Sequence, residues 1–174
     1  MFSTKYIILF IGLYLAALLQ ASFLPHFKIY GGELNLIFVI VFIVSFFQKA
    51  FQGARLPVVI FVGFLAGLFL DFFSPAMFGF YAIAFALMAL LIAKTALSFE
   101  RVKFLSFLLV FVPFFVCFHI LSFVVSRGAG FLSLFDPLFF IFSFIFNFVI
   151  ASFLYLVVRP KWKKYEPKVS FNKW

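Results

Sequence analysis

Long apolar runs separated by short polar segments set the pattern of this chain. Residues 6–24, 34–47, 104–125 and 137–158 are nearly uninterrupted apolar runs, and residues 56–93 form a longer one whose only charge is Asp71. Crossing about 30 Å of hydrocarbon takes roughly 20 helical residues. The 56–93 tract is therefore too long for one crossing and about right for two. Ser74-Pro75 is the natural break, because proline disfavours helical geometry in the residue before it. The pattern predicts an all-α polytopic membrane protein with six spans in one bundle, at 6–24, 34–47, 56–73, 76–93, 104–125 and 137–158. The second span is short, and Gly31-Gly32 act as breakers in the loop before it. Pro113 lies inside the fifth span, where a lost backbone bond predicts a kink. Pro137 opens the sixth, where its missing N–H costs nothing. Residues 159–174 form a polar tail in which Pro160 and Pro167 are expected to interrupt any helix.

Composition agrees with a membrane setting. The chain is 67% hydrophobic and 11% charged, with mean hydropathy +1.27, against roughly 25% charged residues in soluble domains. That leaves too little polar surface to cover a water-soluble globule, and the length suits one domain. The net charge of +9 does not point to nucleic acid, because no soluble module presents a basic face. The basic residues sit at span ends instead, where they act as orientation signals. All but Lys28 and Arg127 fall on one side of a six-span arrangement, which places both termini in the cytoplasm. Lys5 before an apolar run resembles a signal peptide. The run is too long for one and Leu19-Gln20-Ala21-Ser22 is a poor cleavage site, so a retained helix is expected. In the tail, Trp162, Tyr165 and Trp174 among lysines suit the headgroups of anionic lipids.

Candidate chemistry is sparse. A carboxylate inside an apolar run costs a few kcal/mol and marks a functional candidate. Counting about 1.5 Å per residue from the cytoplasmic side puts Asp71 and His119 toward the outer surface. Gln20 and Asn35 fall in the same half, with Asn147 nearer mid-membrane. Asp71 has two open readings: a cap, with Ser74, on the helix that follows, or a polar contact to another helix or a partner. Residues four apart drift by only about 40° around a helix, so Gly63, Gly67 and Asp71 share a face. Small residues there permit close approach of another helix, and the stripe is expected to pack against or bind a partner membrane helix, with Gly79 allowing the same at the next span. An interhelical hydrogen bond is the expected role of His119. Asp71 and His119 could serve as a catalytic couple or two metal ligands, but no third ligand and no catalytic motif accompanies them. No catalytic, cofactor-binding or metal residues are expected. Cys117, the sole cysteine, excludes an internal disulfide and a Cys-rich metal site. Composition offers no account of the 35 phenylalanines.

The pattern Gly63-Phe64-x-x-Gly67-x-x-x-Asp71-x-x-Ser74-x-x-x-x-Gly79 resembles the central signature of the rod shape-determining MreD family. Gln20 near the end of the first span, Asn35-Leu36 at the start of the second and Asn147 in the last agree with it in order and spacing. Leu34 stands where that family usually has proline, a departure at the start of the second span. The resemblance implies a non-enzymatic scaffold subunit of the cell-elongation machinery. Its implied partners are an MreC-like protein, the wall-synthesis enzymes and the MreB cytoskeleton. It also implies a fold similar to the six-helix S-components of energy-coupling-factor transporters. A solute-binding subunit, with Gln20, Asn35, Asp71 and His119 lining a pocket, is therefore the alternative.

Overall fold

The computed structural model describes residues 4–28, 31–48, 56–73, 78–98, 104–128 and 137–163. Among the described residues six α-helices follow one another: α1 (Thr4–Ser22), α2 (Leu36–Phe46), α3 (Leu56–Phe73), α4 (Phe80–Leu97), α5 (Phe104–Gly128) and α6 (Pro137–Lys163). A 3-10 turn, Leu24–Phe27, with proline in its first turn, follows α1. Helices α3 to α6 are long and apolar enough to cross a membrane, and α2, at 11 residues, is shorter. The chain is a helical, membrane-embedded protein.

Two boundaries depart from the apolar pattern. α4 starts at Phe80, not residue 76, because Gly79 adopts left-handed backbone at φ +91° and sits at its N-cap. Residues 74–77, including Ser74, lie outside the described residues. α6 continues through Pro160 to Lys163. Proline there removes only the bond to the Leu156 carbonyl. Leu156 is 61% exposed, so the loss falls on the outer face of the final turns.

α2 organises the core. Eleven residues give it a length of about 16 Å, roughly half the hydrocarbon thickness. It is apolar on every side, as a helix enclosed by others must be. Ile37, Phe38, Val39 and the run Val41 to Phe47 are all buried. α1, α3, α4 and α6 pack around it.

The phenylalanines explain how α5 joins this centre. On α5, Phe104, Phe107, Phe111 and Phe115 stack in series at 5.8–5.9 Å. On α2, Phe42 and Phe46 stack at 5.8 Å, and on α6 Phe144 and Phe148 stack at 5.6 Å. These ladders meet edge to face: Phe42 with Phe111 at 5.1 Å and 84°, Phe46 with Phe107 at 5.7 Å and 89°, Phe115 with Phe144 at 5.3 Å and 77°. Lipid tails are as apolar as side chains, so packing must supply the association energy. Offset and edge-on aromatic pairs add about 0.5–1.5 kcal/mol each beyond burial. Eight of the chain's 35 phenylalanines form these ladders.

The α3–α4 pair packs in the opposite manner, by closeness. A Cβ on Gly63 would lie 2.5 Å from the Phe85 carbonyl oxygen and 2.7 Å from the Ala89 Cβ. A Cβ on Gly67 would lie 2.1 Å from the Tyr81 carbonyl oxygen and 2.6 Å from the Ala82 Cα. Neither site admits even alanine without moving backbone.

Candidate functional site: two clasped helix starts

A helix start enclosed by protein exposes N–H groups that water cannot serve. α2 and α4 both face this problem, and the polar residues of the bundle are placed where it arises.

At α2, the Asn35 side-chain oxygen accepts from the Phe38 N–H at 2.9 Å, an N-cap. Gln20, on α1, reaches across and accepts from the Ile37 N–H at 3.1 Å. The Asn35 carbonyl takes the Val39 N–H at 3.1 Å. α6 supplies the rest. Ser143 Oγ accepts from the Glu33 N–H at 2.9 Å, and Asn147 Oδ1 accepts from the Asn35 N–H at 2.9 Å. Asn147 Nδ2 donates to the carbonyls of Glu33 at 3.0 Å and Ser143 at 2.7 Å. The Asn147 amide thus bonds residues 33 and 35 as a neighbouring strand's peptide would. Both Ser143 and Asn147 are fully buried. Gly32 makes the approach possible, since its Cβ would lie 2.5 Å from that of Phe142. Outside this clasp, Lys28 and Glu33 form an exposed ion pair.

At α4 the device is a carboxylate. Asp71, on α3 and 4% exposed, accepts from the Tyr81 N–H through Oδ1 and from the Ala82 N–H through Oδ2, each at 3.0 Å. These are second- and third-position donors of α4, whose N-cap Gly79 has no side chain to offer. Negative charge is favoured at a helix start, and two N–H donors offset much of the cost of burying it. The two clasps lie at one end of the bundle, joined by ring contacts from Phe38 through Phe118 to Phe85 at 5.1 and 5.5 Å.

The expected polar cluster is therefore reorganised. Gln20, Asn35 and Asn147 meet at the start of α2. Asp71 serves α4 instead, and His119 stands apart among the rings of Phe115 (4.3 Å), Phe118, Phe139 and Phe140. The small-residue stripe does not offer a face to a partner helix: α4 of the same chain already occupies it. Gly79 does not serve close packing either. A Cβ there would meet open space, and its positive φ is what requires glycine. The tail residues Tyr165 and Trp174, and the Trp162 side chain, lie outside the described residues.

Three contributors were not singled out in the sequence. Ser143 stands four residues before Asn147, one turn away on the same face, which is a legible signal. Gly32 reads as a loop breaker and carries no mark of close packing. Gln48, 1% exposed, donates to the Ala93 carbonyl at 2.8 Å at the opposite end of α2.

Among the described residues no group of three metal-ligating side chains occurs. Two recesses, a groove of about 430 Å³ along α5 and one of about 40 Å³ between α1 and α3, are lined by apolar residues and Cys117, and by none of Gln20, Asn35, Asp71 or His119. No family model, curated protein or solved structure matches the chain.

Proposed function

We propose that this protein is a non-enzymatic membrane scaffold of the MreD type, a subunit of the bacterial cell-elongation complex. In this reading the chain crosses the inner membrane six times, with both termini cytoplasmic and the basic tail on anionic lipids. One observation carries it: the polar side chains within the bundle, Asp71, Gln20, Asn35 and Asn147, are engaged with backbone groups at helix starts. Side chains held in this way build a rigid frame and are not themselves free to meet a substrate or solute. Gly63, Gly67, Asp71 and Gly79 of the pattern that resembles the family's signature, with Gln20, Asn35 and Asn147, also hold the frame, which supports that resemblance. Partner contact then falls to the lipid-facing helix surfaces and the loops, with an MreC-like protein, wall-synthesis enzymes and the MreB cytoskeleton as the partners.

Affinity purification of the full chain in mild detergent tests this reading. Co-recovery of an MreC-like protein or a wall synthase is expected. Recovery of an ATPase module together with a small solute would overturn the scaffold in favour of an energy-coupling-factor subunit.

A further inference from the structure

We draw no further inference here: the strongest candidate, the apolar groove along α5 from Pro113 to Val124 with the exposed Cys117 in its wall, is an unpartnered lipid-side helix face, and nothing in the structure shows what covers it.

Discussion

Asp71 illustrates how a costly residue can be structural. Its two oxygens hold the Tyr81 and Ala82 N–H groups at 3.0 Å, so removing the carboxyl takes an acceptor from each. Asp71→Ala is expected to cost about 2–3 kcal/mol, and Asp71→Asn, which keeps one acceptor, about 1 kcal/mol. Thermal unfolding of the purified protein in detergent would order the three forms. Glycines give a sharper contrast. Gly67→Ala forces a Cβ onto the Tyr81 carbonyl, whereas a Cβ on Gly12 meets no atom within 4 Å. Gly67→Ala should therefore lower the yield of folded protein, while Gly12→Ala should be neutral or stabilise by up to about 1 kcal/mol through helix propensity. Comparing size-exclusion profiles of the two variants checks this. The expense of Asp71 was legible in the sequence because a charge stands out in an apolar run. Its partners were not, because they are backbone N–H groups, which carry no residue-level mark.

At the scale of elements, two packing modes divide the bundle. α3 and α4 meet through glycine and alanine, while α2, α5 and α6 meet through stacked and edge-on phenylalanines. Phe111 touches the rings of Phe38, Phe42, Phe107, Phe115, Phe144 and Phe148, whereas Phe153 is 62% exposed. Phe111→Leu should destabilise by about 1–3 kcal/mol, and Phe153→Leu should leave thermal unfolding unchanged. The existence and order of the long helices were readable from hydropathy alone, since length and apolarity decide them. The standing of α2 was not. A short apolar run looks the same whether it faces lipid or is enclosed by other helices, and only its surroundings distinguish the two. The start of α4 was misplaced by four residues because Gly79, read as a packing residue, instead sets the turn by its backbone conformation.

For the whole molecule, the placement of polar groups separates a frame from a pocket. Depth counting put Gln20, Asn35, Asp71, His119 and Asn147 in neighbouring layers, but one sequence does not reveal which helices are neighbours. The structure divides them between two helix starts and an aromatic surround. That division favours a protein whose polar interior maintains its shape while its surface does the binding. The most direct test is the melting temperature of full-length Asn147→Ala in mild detergent, read beside recovery of its membrane partner. Loss of the amide leaves the Glu33 carbonyl and Asn35 N–H without their partners, costing about 2 kcal/mol. The account predicts a fall of about 4–8 °C for a chain of this size, with partner recovery tracking the folded fraction. An unchanged melting temperature combined with lost partner recovery would contradict it, because Asn147 would then belong to a binding site and not to the frame.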